Sequence, residues 1–259
     1  MKIKYSLLLV SIFVLNLCSA QSYPGFADDN YNGIHGVVGN PANIADSRVS
    51  VDINLFSIQA MVATDYLPLT FDNITTLAED FTFDDSFTRF PSQSNNVLVN
   101  ADVLGPSFMF GINEKSSIGI STRARAINNY NNINGELLES IIDGFPATGF
   151  SFDQNNLDGT THFWGEIGLS YGRVIYDADN HFIKGGLTLK YLLGAGVAQG
   201  TSENMSGAFD ANSNSVNLNG DFSYLVSFDE DDFQVDLTPG YGMDIGFVYE
   251  YRPRSTSVR

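Results

Sequence analysis

Apolar and polar residues alternate most cleanly over residues 240–252. Tyr241, Met243, Ile245, Phe247, Tyr249 and Tyr251 fall on one parity; Gly242, Asp244, Gly246, Glu250 and Arg252 fall on the other, with Val248 the only large apolar residue among them. Successive side chains of a strand point to opposite faces, so the run predicts a strand with one apolar face and one small or charged face. Tyrosines lie near both ends of the apolar face, with aliphatic residues or Phe between them. That is the pattern of an outer-membrane barrel strand, whose aromatic girdles meet the two interfaces.

Five earlier runs read the same way. Residues 51–63 open with Val51, Ile53 and Leu55 alternating with Asp52, Asn54 and Phe56. Residues 97–112 follow, interrupted at Gly105-Pro106, which predicts a bulge or kink. Residues 117–127 put Arg123 and Arg125 on one parity, away from the apolar face. Residues 161–176 make the fourth run. Residues 182–194 make the fifth, with Ile183, Leu187, Leu189, Tyr191 and Leu193 opposed to Lys184, Thr188 and Lys190. The connections alternate in length. Residues 64–96, 128–160 and 195–239 are long and polar, whereas 113–116 and 177–180 are tight turns. Within the second long connection, Glu136-Leu137-Leu138-Glu139-Ser140-Ile141-Ile142 has a short helical period stopped by Gly144 and Pro146, and within the third, residues 221–228 resemble a hairpin arm.

These features predict an all-β fold, an antiparallel transmembrane β-barrel with long outer loops and short periplasmic turns. The order puts the mature N-terminus and Arg252-Pro253 at the periplasmic end. Six spanning strands fall short of the about eight that closure needs, and an open edge in hydrocarbon leaves amides unpaired. The chain ends in Ser-Thr-Ser-Val-Arg without a terminal aromatic. The expectation is therefore a partial barrel over residues 50–259, the front of a longer barrel or a truncated fragment.

The N-terminus adds an address. Lys2 and Lys4 precede an apolar run from Leu7 to Leu17, and Cys18-Ser19-Ala20 supplies small residues before Gln21. Residues 1–20 are expected to be a secretory signal peptide cut after Ala20. Leu17 directly before Cys18 fits a lipoprotein site poorly. Residues 21–49 form a Gly- and Asn-rich periplasmic or lumenal lead-in, with Pro41 placed to open a helical turn through Ala45. The chain carries −17 over 259 residues, and removing the signal takes away two lysines and no acid, leaving −19. That charge argues against nucleic acid and against adhesion to anionic surfaces. Its only cysteine lies in the signal, which excludes disulfides and thiol chemistry from the mature chain. No later apolar run is long enough for a spanning helix.

Gly36-Val37-Val38-Gly39-Asn40-Pro41-Ala42-Asn43-Ile44-Ala45-Asp46, followed by Val51-Asp52-Ile53-Asn54-Leu55-Phe56, resembles the N-terminal region of an uncharacterised group of Bacteroidetes-type outer-membrane proteins. Some members of that group carry a C-terminal OmpA-like domain; residues 1–259 are not expected to include one. The Asn-Pro-Ala element also resembles the start of long-chain fatty-acid transporter barrels and type IX secretion shuttle barrels. Those have about fourteen strands, with the N-terminal segment tucked into the lumen, and this chain would match the first half. The resemblance implies a structural or apolar-compound transport role in the cell envelope, porin-like in architecture, with outer-membrane lipid, apolar small molecules or envelope proteins as partners.

Candidate chemistry is sparse. Gly168-Leu169-Ser170-Tyr171-Gly172 matches the G-x-S-x-G pattern, which needs a strained strand-to-helix turn; strand-like residues follow instead. A hydrolase would pair Ser170 with His162 or His181. Asp210, Asn212, Asn214 and Asp221 have part of a calcium-loop spacing but lack Gly at its sixth position and Glu at its twelfth. Asp229-Glu230-Asp231-Asp232 reads as an exposed acidic turn. His35, His162 and His181 have no ligand spacing, and Trp164 beside Phe163 reads as an interfacial anchor. Arg123, Arg125, Lys184 and Lys190 are placed to pair with Asp102, Glu166 or Asp244 on an inward face. No catalytic, cofactor-binding or metal-ligating residue is assigned, and the chain is not read as an enzyme. A secreted β-rich binding protein with acidic calcium-holding loops stays open as an alternative, as does a hydrolase using Ser170.

Overall fold

The computed structural model describes residues 31–68, 88–178, 180–227 and 237–253. The expected signal peptide, the start of the lead-in, much of the first long connection and the acidic turn at Asp229–Asp232 lie outside them. The fold is all-β and antiparallel. In chain order it comprises α1 (Gly33–Gly39), a 3-10 turn (Pro41–Ile44), β1 (Val51–Asn54), β2 (Ser57–Thr64), β3 (Asn95–Leu104), β4 (Ser107–Asn113), β5 (Ser116–Ile133), α2 (Gly135–Asp143), β6 (Phe150–Ala178), β7 (His181–Asp210), β8 (Ser215–Gly220), β9 (Ser223–Val226) and β10 (Thr238–Tyr251).

One sheet contains all ten strands. β1 pairs with β4 and β2 with β3, and both β3 and β4 pair with β5; β6, β7 and β10 follow in turn. β1–β2 and β3–β4 are thus each one path with a break, and the sheet is a six-membered meander. It does not close on itself among the described residues. The break at Gly105-Pro106 is stitched from both sides. Asn54 Nδ2 donates to the carbonyls of Leu104 and Gly105 at 3.1 and 3.0 Å, and the Thr122 amide donates to Ser107 Oγ at 3.2 Å.

The six expected strands are present, but two of the long connections are not loops. β6 is 29 residues long and β7 is 30, paired from Phe150↔Phe209 down to Ala178↔His181. β8, β9 and β10 return along the other edge of β7, so the polar segment after Gly194 is largely strand. The hairpin tip is the Ala211–Asn214 turn. The helical period at 136–142 does form α2, capped by the Asn134 side chain, which accepts from the amides of Glu136 and Leu137. Gly144 follows with φ +87, a conformation that ends the helix without steric cost.

The two faces differ sharply. On β10, Tyr241, Met243, Ile245, Phe247, Tyr249 and Tyr251 are all exposed, while Gly246 between them is buried. The same open face carries Leu189 and Tyr191 of β7, Ile167, Leu169 and Tyr171 of β6, Ile118 and Ile120 of β5, Phe110 of β4 and Val51 and Ile53 of β1.

The N-terminal segment covers the opposite, inner face at the short-turn end. One register row across the sheet reads Gly111, Ser117, Gly172, Gly186 and Gly246. Asn40, Pro41 and Ile44 lie on this row: a Cβ at Gly246 would collide with Asn40 Oδ1, one at Gly186 with the Pro41 carbonyl, and one at Gly172 with Ile44 Cγ2. Ile34, Val37, Ile44 and Met109 then form a buried cluster, each side chain contributing roughly 1.5–3 kcal/mol. Polar ties fix the ends. The Ile34 amide donates to Asp52 Oδ2 at 2.8 Å, Asn40 Nδ2 to the Phe247 carbonyl at 3.3 Å, and Lys184 Nζ to the Ala45 carbonyl at 3.0 Å. Arg252 bridges Asp46 at 2.8 Å and Glu250 at 2.7 Å.

The glycine seat makes a direct prediction. Gly186→Val forces a side chain into the Pro41 backbone and is expected to destabilise docking of residues 33–46 by about 1–3 kcal/mol, the range for overpacking. Gly39→Ala, where nothing lies within 4 Å, serves as the control. Hydrogen exchange at residues 34–45 should accelerate in the first variant and stay unchanged in the second.

Candidate functional site

Immediately above the N-terminal segment, counting from the short-turn end, the inner face carries a ladder of alternating charge. Arg123 of β5 grips Asp102 of β3 through two nitrogens, its Nε at 2.7 Å from Oδ1. Arg125, two residues on and therefore on the same face, lies 3.5 Å from Asp102 and 3.5 Å from Glu166 of β6. Lys190 of β7 stands 3.5 Å from Glu166 and 2.6 Å from Asp244 of β10. Three carboxylates and three cations thus run across five strands, and their formal charges cancel. The cross-strand register puts them there, since Arg123 opposes Glu166 and Asp102 opposes Arg125.

Trp164 belongs to this ladder. The interfacial position expected for it is not observed. Its Nε1–H donates to Glu166 Oε1 at 2.7 Å, and the Arg125 guanidinium lies 4.9 Å from its ring centre. Both are inner-face groups, so Trp164 points inward while Phe163 beside it is exposed. A ring that packs on a cation and donates to a carboxylate holds the two charges at fixed spacing. Lys184 also departs from expectation: it reaches the Ala45 carbonyl in place of a ladder carboxylate.

Above the ladder lies a cavity of about 740 Å³, lined chiefly by Ile127, Trp164, Leu192, Val197 and Pro239, with His162, Ser227 and Thr238 as its polar groups. It forms where β7 has one more residue than β6, at the register shift between Phe163 and Trp164. β10 also ends there, at Thr238↔Gly194. Trp164 is the ladder residue that lines it. Toward the far end of the sheet, Leu138 and Ile142 of α2 pack on buried Tyr66 and Leu67, and Arg89 pairs with Asp143.

Ser170 is buried in the middle of uninterrupted β6, with its Oγ 2.7 Å from Thr188 Oγ1. The turn that a nucleophile elbow requires is not present at this position. His162 lies at the cavity, two strand rows from the ladder's Glu166. His181 sits at the short-turn end with Nδ1 2.8 Å from the Tyr249 hydroxyl. Ser170 is therefore not brought together with either histidine as a bonded pair. Asp210 accepts from the Asn212 amide and the Ser213 hydroxyl at 2.9 Å each, and Asp221 accepts from the Glu203 and Asn204 amides, so both carboxylates have structural partners. Among the described residues no group of three His, Cys, Asp or Glu is poised to hold a metal ion.

His35 on α1 meets Ser57 Oγ at 3.0 Å. Burial pushes its pKa below the usual 6.5, and the opposing attraction of Asp52 does not restore it.

A protein-family model matches residues 41–258 of this chain, and the chain belongs to that family, described as a family of unknown function (DUF5723). No curated protein and no solved structure matches it.

Two predictions follow from the ladder and the helix. Glu166→Gln leaves Arg125 and Lys190 without their shared carboxylate. Arg125 keeps Asp102 and Lys190 keeps Asp244, so the loss stays below the about 3–5 kcal/mol of an uncompensated buried charge; the thermal unfolding midpoint should still fall, and more than for Glu114→Gln at an exposed turn. For His35, the folded pKa is lowered, so the folded state resists protonation. Its contribution to docking is complete above about 6.5 and is lost as pH falls from there toward the folded pKa. Exchange protection of residues 34–45 should drop over that window, and His35→Gln should flatten the response.

Proposed function

We propose that this DUF5723 chain forms part of an outer-membrane β-barrel wall whose lumen receives an apolar compound. One observation carries the reading: the face left open is the apolar one, and the face covered by the chain's own N-terminal segment holds the charges. A sheet built for water has the reverse arrangement, with its apolar side on a core. On β10 the open face runs eleven residues from Tyr241 to Tyr251, about 25 Å of membrane normal at the usual tilt. Tyrosines mark both ends of that span.

On this reading the short-turn end is periplasmic, and residues 33–46 obstruct the lumen there. The apolar cavity lies on the opposite side of the charge ladder, toward the outer mouth. A compound entering from outside would therefore lodge against Leu192, Val197 and Trp164 before it met the ionic barrier. The cavity favours transport or capture of an apolar ligand over a purely structural role in the envelope.

Membrane fractionation tests the location: the chain is expected in detergent extracts, with a gel mobility that changes on heating, and release by carbonate would refute the reading. For the cavity, an apolar fluorescent probe is expected to bind the purified protein. Leu192→Glu, which places a carboxylate on the lining, should weaken binding at least tenfold. Equal affinity in the variant would remove the cavity as the binding site.

A further inference from the structure

The open face carries aromatic rings above the apolar band as well as within it. Tyr130 of β5 lays its ring on Gly159 of β6, where a Cβ would meet ring carbons at 2.7 and 3.0 Å. Phe222 covers Gly200 of β7 in the same manner at 3.3 Å, and Tyr224 of β9 is the register partner of that glycine. Gly159 is paired to Tyr130 on one side and to Gly200 on the other, so the three rings share one face. Tyr130 is on the parity of exposed Ile118 and Ile120, which makes that face the lipid-facing one. Phe222 and Tyr224 stack with ring centres 6.5 Å apart and planes 21° from parallel. Tyr224 is 77% exposed, Phe222 56% and Tyr130 39%.

On β5 and β6, Asn128 and Thr161 lie between these rings and the band; the same register row continues as Ala198 of β7 and Val226 of β9. The Thr161 hydroxyl donates to Asn128 Oδ1 at 2.9 Å and stands 3.1 Å from the Tyr130 hydroxyl. On β6, Gly159 lies four residues beyond Phe163; on β7, its partner Gly200 lies four beyond Gly196, the partner of Phe163. At strand rise and barrel tilt this offset becomes roughly 10 Å above the apolar band. That is too high for acyl chains and level with the head groups and saccharides of the outer leaflet. The local charge narrows the ligand further. No Lys or Arg occurs between Arg125 and Arg173, or between Lys190 and Arg252. A phosphate would find no cation on this part of the wall, whereas a neutral sugar ring can lay its C–H face on an aromatic ring and exchange hydrogen bonds with amides and hydroxyls.

We propose that Tyr130, Phe222 and Tyr224 form a docking platform for the neutral saccharide of outer-leaflet glycolipids. The inference rests on the membrane reading above, because that reading sets the height of the platform. The test uses the full chain purified in detergent, with three probes: intact lipopolysaccharide, the saccharide released from it by mild acid, and lipid A. Saturation-transfer NMR should detect the first two through their sugar protons and not the third. Phe222→Ala/Tyr224→Ala should lower saccharide binding at least tenfold, and Tyr249→Ala within the band should leave it unchanged. Tyr224→Ala alone replaces the double variant if the latter loses its heat-dependent gel shift. Unaltered saccharide binding in the variant, or lipid A binding as well as the intact glycolipid, overturns the platform. Release of the wild-type chain by carbonate would instead defeat the barrel reading, a failure visible before any sugar is added.

Discussion

A strand assigns each side chain to one of two faces, and every other feature of this molecule is arranged around how that assignment was made. On β10 six large apolar side chains are left open on one face. Each would gain roughly 1.5–3 kcal/mol from leaving water, so this strand alone forgoes on the order of 10 kcal/mol in an aqueous setting. The chain has material with which to cover a face, namely residues 33–46, and uses it on the other side. The polarity of the sheet is therefore a property of the whole design, and it is the feature on which the proposed membrane reading rests.

The inner face follows from the same choice. Charges gathered on the covered face meet one another, and antiparallel register supplies the meeting. Arg123 and Arg125 fall opposite Glu166 and Trp164, with Asp102 on the far side. The ladder is neutral over six groups, which limits the desolvation cost that a run of one sign would incur. It also divides the inner wall into two parts. Below it the wall is built of small residues and accepts backbone; above it the wall is apolar and leaves a cavity.

How much of this is legible in residue order depends on whether the two faces see different surroundings. Where they do, as at residues 182–194 and 240–252, period-two alternation locates the strands, and the parity of Arg123, Arg125 and Lys190 correctly groups them inside. Where polar residues occupy both parities, alternation vanishes. Phe150–Thr160 and Gln199–Asp210 read as loops because polar residues occupy both parities, yet they pair along their length. α1 was equally hidden: its Gly-Ile-His-Gly-Val-Val-Gly sequence is poor in helix formers, and its helicity comes from docking against Asp52 and Met109. Trp164 was misassigned because its neighbour Phe163 does face outward. Adjacent residues of a strand face opposite ways, and the pairing of Arg125 with Trp164 fixes Trp164 as the inward one.

The glycine row shows why the seat of the N-terminal segment escapes a strand-by-strand reading. Each of Gly111, Gly172, Gly186 and Gly246 weakens its own strand, by roughly 0.5–1 kcal/mol relative to alanine. Taken singly, each is an unexplained concession on a small-residue parity. Aligned by register they form a groove across the sheet, flat enough for the Asn40–Ile44 backbone to approach the strands. Burial of Ile34, Val37 and Ile44 offsets the cost, and it is available only when all the strands are in register. The N-terminal segment therefore rewards the correct alignment of strands from β4 to β10 at once. A one-residue slip of any of them would put Tyr171, Leu187 or Phe247 where Pro41 and Ile44 sit. Docking of residues 33–46 acts in this way as a check on sheet register.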